Sequence, residues 1–415
     1  MKARSWINLF TAFSFFQGLN TAHAASAANS PIKAPYEVSL SSTVGYDDNL
    51  YLVNNGGLKD RGSALYAVSA KITGKVVSGV SVSYVPTVTK FSGESNEDNV
   101  KHVLSSAWTQ KVDNLSVVTV TDLTFVDGDD GGIDYGPYGS AFSTVAPRER
   151  RDQWQNKSDL ALRYDAATGF VRGVGKLQYW DMRTAAVGTA NYVDRYDIQG
   201  GVDLGRSLRK DGPEYYLGYR SGYQFQDNDY NPASHKNASN HYTRYLLGVE
   251  GKLRPGLKLN AQTGWAVHNY SESPLIYSGN QREQGLYSDI AVTWSANLSD
   301  EFQFKTTRCR TFSTVSSSSV LASVHQLAWQ HSYSNKWRCV LTGRVAEAEY
   351  SPAARDDLDY SVVVVMTYDF NTSVSGAFTA SKDFGLNNHN AISGVTEKNR
   401  EFERAFASFT LSWKI

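Results

Sequence analysis

The residue types that usually perform chemistry occur in this sequence without an arrangement that would let them act together. The eight histidines are scattered, and no Cys or His residues have the spacing of a metal site. The Ser and His residues form no nucleophile-elbow motif. Cys309 and Cys339 are too few for a disulfide scaffold, and we expect them to be unbonded because a whole strand separates them. We therefore expect neither an enzyme nor a bound metal or cofactor.

Charged residues are more informative, because many of them alternate with apolar residues in the middle of the chain. Side chains two positions apart share one face of a strand, so these charges lie opposite the apolar face. The basic members are Arg163, Arg172, Lys176, Arg195, Arg220, Arg244 and Lys258, and the acidic members are Asp159, Asp197, Asp203, Glu250 and Asp289. If this face lines a channel, a basic stripe favours polar or anionic solutes. Alternatively, the acids and bases only pair with each other.

The longest polar segment, 127–155, joins the fifth and sixth predicted strands. A loop at this place could fold inward and constrict a pore, with its aromatic rings offering faces on which sugars stack. The residues concerned are Asp127, Asp129, Asp130, Asp134, Tyr135, Tyr138 and Trp154. Their spacing departs from that of a calcium-binding loop, so we expect no metal there. A solvated surface loop is the alternative interpretation.

The elements that carry these residues are amphipathic segments of roughly ten residues, the length of a tilted transmembrane β-strand. The clearest has Tyr215, Leu217 and Tyr219 on one face, and there are about 18 such segments. Short turns, such as 254–256, alternate with long polar connections, such as 227–240. This pattern predicts an all-β fold, a transmembrane antiparallel outer-membrane β-barrel with both termini in the periplasm.

One predicted strand, 302–312, fits the alternation poorly. Arg308 and Arg310 have the same parity as the apolar Phe302 and Phe304, which should face lipid. Either a β-bulge near Thr306 reverses the face, or the strand projects beyond the membrane at that point.

The last segment, 402–415, is a strand with one apolar and one polar face. Its apolar face ends in Phe409, Leu411, Trp413 and Ile415. It resembles the C-terminal signal that outer-membrane barrels present to the barrel-assembly machinery, although that signal usually ends in an aromatic residue. Pairing of this strand with the first would remove both sheet edges, which otherwise invite aggregation.

The first residues have the features of a secretory signal. Lys2 and Arg4 precede an apolar run, and Ala22-His23-Ala24 has the small-x-small pattern of a cleavage site. We therefore predict a signal peptide at 1–24, a short periplasmic linker at 25–35 and a barrel at 36–415, located in the outer membrane of a Gram-negative bacterium. The 41 basic and 41 acidic residues balance, which argues against nucleic-acid binding.

A short motif closes the first predicted strand: Tyr46, Asp47, Asp48 and Asn49. Singly, such residues usually make turns at strand ends. As a string, they resemble the signature near the start of the putative β-barrel porin 2 family. That resemblance implies a conduit for exopolysaccharide, as in a capsule or biofilm matrix, working with a periplasmic polysaccharide-export protein in contact with outer-membrane lipid. It supplies no further functional residues.

Two alternative functions remain open at this point. One is a solute-uptake or general-diffusion porin for small polar solutes. The other is a structural or adhesive barrel whose loops bind a partner. Inward aromatic residues such as Trp180 and Tyr287 are few, which weakens the case for sugar uptake along an aromatic ladder.

Overall fold

The computed structural model describes residues 36–49, 62–95, 98–127, 153–182, 195–209, 212–226, 239–270, 282–312, 319–351, 355–387 and 402–415. The predicted signal peptide and linker, and most of the segment 127–155, lie outside these ranges. No helix among the described residues is long and apolar enough to cross a membrane.

The described residues form 18 strands in chain order. They are β1 (Tyr36–Asp47), β2 (Ser63–Val77), β3 (Val80–Phe91), β4 (Asn99–Val112), β5 (Leu115–Asp127), β6 (Gln153–Ala166), β7 (Gly169–Met182), β8 (Arg195–Ser207), β9 (Glu214–Gln226), β10 (Asn240–Arg254), β11 (Leu257–Tyr270), β12 (Arg282–Ser295), β13 (Asp300–Phe312), β14 (Ser319–Ser332), β15 (Trp337–Ser351), β16 (Arg355–Asp369), β17 (Val374–Asn387) and β18 (Phe402–Lys414).

Each strand pairs antiparallel with its neighbours in the chain, and β1 also pairs with β18. The pairing of β1 with β18 runs from Ser39 opposite Lys414 to Asp47 opposite Phe406. The sheet is therefore a closed barrel, and the prediction of an all-β antiparallel barrel of about 18 strands is confirmed. The last strand closes the sheet, as the alternation in 402–415 predicted.

The alternation of residue types separates the two faces of the barrel. Apolar side chains such as Leu217 and Leu247 remain more than 60% exposed on the outer face, as a lipid-facing surface requires. Aromatic rings meet on the outer face near both ends of the strands. The ring centres of Phe125 and Trp154 are 4.9 Å apart near the long-connection end. Those of Trp294 and Phe302 are 5.4 Å apart near the short-turn end. Such rings form the interfacial belts of membrane barrels.

Tight turns join the strands at one end of the barrel. Gly79, Asp113 and Gly256 have positive φ angles of 80°, 50° and 75°, the conformation that closes a two-residue hairpin. Connections of seven or more residues all leave the strands at the opposite end. Tyr36 and Ile415 lie at the short-turn end, since Ile415 donates its backbone N–H to the Val38 carbonyl. The chain thus has the asymmetry that we predicted from its turns.

At the long-connection end, β1 and β18 are joined by side chains as well as by backbone. Arg404 donates through Nε and Nη2 to the two carboxylate oxygens of Asp47, with Nε 3.0 Å from Oδ1. Asp48 accepts from the backbone N–H of Ala405, and Asn49 Nδ2 donates to the Glu403 carbonyl at 2.9 Å. We call these contacts the closure clamp. The Asx turn expected for the motif is also present, from Asn49 N to Asp47 Oδ1 at 3.1 Å.

Strands β12 and β13 separate in the halves that lie nearer the long connections. Their pairing ends where Ser288 lies opposite Arg308, whereas β13 pairs with β14 without a register shift up to Phe312. A bulge near Thr306 is therefore not the reason for the mismatched arginines. Instead, β13 leaves β12, and Arg310 on the lipid-side parity reaches Glu283 on the inner face of β12 at 2.9 Å.

Cys309 and Cys339 are both free, as expected. Cys309 lies on β13 opposite Ala322 of β14, and Cys339 lies on β15 opposite His331 near the other end of β14. The two residues therefore differ in height as well as being separated by a strand.

We predict that Arg404→Met lowers the free energy of unfolding by about 3–5 kcal/mol, because it leaves the buried Asp47 carboxylate without its cation. Lys414→Met is the matched control. It removes the partner of Glu37 at the other, exposed end of the same seam and should cost about 0–1 kcal/mol. Urea unfolding in detergent, followed by tryptophan fluorescence, measures both. Equal losses in the two variants would show that the clamp has no special role in closure.

Candidate functional site

All of the charged residues predicted to share one face lie on the inner wall of the barrel, on strands β6 to β12. In the sheet register Asp159 lies opposite Lys176, Arg163 opposite Arg172, and Arg220 opposite Arg244. Their chain neighbours, such as Leu160, are exposed on the outer face. The period of two thus identified the correct face, and the structure shows which of these residues make contact.

The half of this wall near the short turns is an ion-pair network. Arg163 binds Glu214 with two parallel hydrogen bonds of 2.6 and 2.7 Å. Arg172 binds both Asp203, at 2.9 Å, and Glu250, at 2.8 Å. The network comprises Arg163, Asp165, Arg172, Asp203, Glu214, Arg220 and Glu250. Every base in it has an acid, so here the alternative of mutual pairing is the correct one.

Asp203 is the centre of this network. Its side chain is 0% exposed and accepts from Arg172 through Oδ2 and from Arg220 through Oδ1, the latter at 2.6 Å. A buried carboxylate is stable only when its lone pairs are satisfied, and two guanidinium groups satisfy them here. Glu214 and Asp165 escaped the sequence analysis, although both have the inward parity that would have identified them.

Two inward aromatic rings support the guanidinium groups. Arg163 lies 4.0 Å from the ring centre of Phe170, and Arg172 lies 4.9 Å from that of Tyr216. The Tyr216 ring occupies the space beside Gly248, its cross-strand neighbour, so a methyl group at Gly248 would overlap it. These stacked cations hold their charge close to the wall instead of extending it into the lumen.

Higher on the same wall, a chain of hydrogen bonds begins at Asp197. Gln224 donates Nε2 to Asp197 at 3.0 Å, Asn240 donates Nδ2 to Gln224 at 3.1 Å, and Asn240 Oδ1 lies 2.9 Å from His268 Nδ1. The carboxylate can only accept, so each amide must turn its oxygen toward the next residue. His268 therefore donates from Nδ1, and its buried Nε2 carries a lone pair without a partner in the described part of the chain.

The second branch of the chain leads from Asp197 to Arg244. Tyr242 donates its hydroxyl to Asp197 at 2.7 Å and also lies 3.2 Å from Gln199, which accepts from Arg244 Nη1 at 3.1 Å. The Arg244 guanidinium lies between the rings of Tyr242, at 4.3 Å, and Tyr287, at 4.6 Å. This cation is thus enclosed by aromatic and amide groups.

The sheet folds back on itself around this cluster. Cα atoms of β9 and β13 come within 8 Å of each other although three strands separate them. Four strand spacings correspond to about 19 Å along the sheet, so a round barrel would keep these strands well apart. Side chains from both sides therefore fill this part of the interior.

The remaining charged residues of the wall lie outside the ion-pair network. Lys176, and also Lys157, which the sequence analysis missed, have neither a hydrogen bond nor an ion pair among the described residues. Lys258 is exposed near the short turns, and Arg195 lies 4.3 Å from the ring centre of Trp180. The predicted acid Asp289 lies on the inner face of β12 opposite Gln262.

The predicted constriction segment can be placed only at its ends. Asp127 ends β5, and Trp154 lies on the outer face of β6 against Phe125, away from the lumen. Asp129, Asp130, Asp134, Tyr135 and Tyr138 lie outside the described residues. Within the part of the chain that the structure describes, no group of three or more His, Cys, Asp or Glu side chains could hold a metal ion.

No protein-family model matches the chain, and no curated protein matches its sequence. Solved structures do resemble it. The siderophore receptor PirA from Acinetobacter baumannii has 7% identity and a TM-score of 0.46, covering 93% of this chain and 81% of that one. A mutant of the ferric enterobactin receptor PfeA from Pseudomonas aeruginosa, in complex with enterobactin, has 9% identity and a TM-score of 0.45, with coverages of 93% and 82%.

A third similar structure is the ferric-catecholate import receptor Fiu from E. coli K12, with 8% identity, a TM-score of 0.41 and coverages of 93% and 82%. At such identities the likeness concerns the fold. The closed barrel and its apolar outer face place the protein in the outer membrane of a Gram-negative bacterium, in contact with lipid, as predicted.

The prediction of an exopolysaccharide-export conduit is wrong, and the expected polysaccharide-export partner loses its basis with it. The solved structures described above are a siderophore receptor, a ferric enterobactin receptor and a ferric-catecholate import receptor. The motif that suggested export has a structural role in this barrel, because Asp47, Asp48 and Asn49 make hydrogen bonds to β18. Closure of a barrel says nothing about what passes through it. Membership of the porin 2 family stays a prediction.

We predict that Arg220→Met destabilises the barrel, because it removes one of the two cations of the buried Asp203. The free energy of unfolding should fall by about 3 kcal/mol. Lys258→Met, a change of the same type at an exposed inward position, should change it by less than about 1 kcal/mol. The measurement is urea unfolding of both variants beside the parent. If the two variants unfold alike, the network contributes no stability.

Proposed function

We propose that this protein is a solute-uptake channel that admits small polar solutes through the outer membrane. The single observation that carries this proposal is the exposed Lys157 side chain on the inner wall of a closed barrel. A charged side chain is stable in a membrane protein when it faces water, another charge or a cavity. Since Lys157 has no ion-pair partner among the described residues, a water-filled lumen is the environment that suits it.

The division of the inner wall supports the same proposal. On the β9–β13 side, polar side chains occupy the interior and are joined by the hydrogen-bond chain from His268 to Arg244. On the β4–β7 side, Lys157 is exposed and Lys176 is half-buried. A lumen that is filled on one side and lined by charges on the other suits small hydrophilic solutes, because pore width and lining groups determine selectivity.

The test is permeation of uncharged solutes into liposomes that contain the purified barrel. Liposome swelling should occur with a pentose and should fall as the sugar becomes larger, because the lumen limits size. A barrel that resists unfolding in unboiled detergent but admits neither sugar nor ions would overturn the proposal and favour the structural or adhesive alternative.

Two neighbouring residues on opposite faces sharpen this test. Ser105 lies on the inner face of β4, opposite Asp122, whereas Leu104 is exposed on the outer face. We predict that Ser105→Trp slows sugar entry, because the ring adds bulk to the lumen. Leu104→Trp should leave the rate unchanged, because it replaces one lipid-facing apolar side chain by another. Equal rates in the two variants would show that solutes do not pass through the lumen.

A further inference from the structure

Four cationic side chains project from the inner wall between β4 and β8. Lys101 belongs to β4, Lys157 to β6, Lys176 to β7 and Arg195 to β8. Asp122 of β5 lies opposite Lys157, and Arg195 lies opposite Trp180, which pairs with Gln155, two residues before Lys157. Like charges at this range repel each other, so the group is held together by the wall that carries it and not by mutual attraction.

The two central lysines can converge on one solute. Asp159 lies opposite Lys176 and Gln178 lies opposite Lys157, so the two lysines are diagonal neighbours on one face. Diagonal neighbours across an antiparallel pair are about 7–8 Å apart. Each lysine carries a flexible four-carbon stem, so both ammonium groups can reach a single small ligand placed between them.

Lys157 and Lys176 differ from the arginines of the wall in whether a carboxylate binds them. Arg163, Arg172 and Arg220 each bind a carboxylate at 2.6 to 2.9 Å. In contrast, Lys157 and Lys176 make neither hydrogen bond nor ion pair among the described residues, although Asp122 and Asp159 lie opposite them in the register. Their ammonium groups therefore keep donors available for a ligand.

From these observations we infer that Lys157 and Lys176 form an anion site in the lumen, flanked by Lys101 and Arg195, for a small solute that carries a multivalent oxyanion. This inference rests on the proposed uptake function and names the class of solute that the channel selects. Ammonium groups bind such oxyanions as point charges, and the guanidinium of Arg195, stacked on Trp180, adds a further positive charge. The chemistry is shared by phosphorylated solutes and by polycarboxylates.

Isothermal titration calorimetry tests the site directly, because binding does not require conduction. The purified full-length barrel in zwitterionic detergent is titrated with inorganic pyrophosphate and, separately, with citrate. The parent should bind at least one of them saturably, and the ligand that binds more tightly identifies the source class. Binding should weaken with added salt, because a point-charge site is screened. Absence of saturable heat with both ligands in the parent would overturn the inference.

The decisive variant is Lys157→Gln/Lys176→Gln. Each lost ammonium should weaken binding about tenfold, so the double variant should weaken it on the order of a hundredfold. The matched control is Lys252→Gln/Lys258→Gln, which removes two exposed lysines that lie opposite each other near the short turns. Its affinity should equal that of the parent. Equal affinity of the first variant and the parent would remove the site from these lysines.

Reversal potentials across a planar bilayer connect the site to transport. Under a potassium chloride gradient, Lys157→Gln/Lys176→Gln should shift the reversal potential toward cation selectivity more than Lys252→Gln/Lys258→Gln does, because the lost charges face the lumen. A barrel that binds pyrophosphate but admits no sugar would retain the site and refute the channel. One that admits sugar while both double variants bind and conduct like the parent would retain the channel and refute the site.

Discussion

Closure of the sheet between β1 and β18 is the constraint on which the rest of the structure depends. In a bilayer no water can satisfy a free strand edge, so every backbone N–H and C=O must find a partner within the sheet. The β1–β18 ladder provides those partners, and the buried Arg404–Asp47 pair fixes its register at one end. A slip of one residue would place Asp47 on the lipid side, where a carboxylate is costly.

Closure also dictates where charge can reside. With the outer face in contact with lipid, a charged side chain is costly there, and the charged residues described on β6 to β12 face the lumen instead. Near the short turns the basic and acidic side chains form ion pairs around Asp203, so their charges largely cancel in that part of the wall. Higher up, Lys157 and Lys176 have no direct partner among the residues that the structure describes. The same inner face thus combines a structural half with a half whose donors remain available to solutes.

The period of two in the sequence predicted the barrel, its strand number and the inner face of every charged residue that it singled out, because alternation is a local property of a strand. Pairing across the lumen is not local. Arg163 meets Glu214 from β9, three strands away, and only the curvature of the sheet brings them together. The parting of β12 from β13 likewise leaves no local signal, except that Arg308 and Arg310 break the alternation. The Tyr-Asp-Asp-Asn string was recognised as a motif, but its contacts with β18 link residues more than 350 positions apart.

The folding back of β9 toward β13 explains why one side of the lumen is filled while the other is lined by exposed charge. Where the sheet curves tightly, neighbouring inward side chains have little room. The wall accommodates them by placing a large aromatic ring beside a glycine. Tyr216 lies beside Gly248, and Tyr242 lies beside Gly222. Once curved, the wall brings Tyr242, Arg244 and Tyr287 together, and their stacking and hydrogen bonds occupy the space that the curvature encloses. On β6, by contrast, the Lys157 side chain is exposed on the inner wall. Asymmetry of packing, more than the number of strands, therefore determines which residues of this barrel a solute can meet.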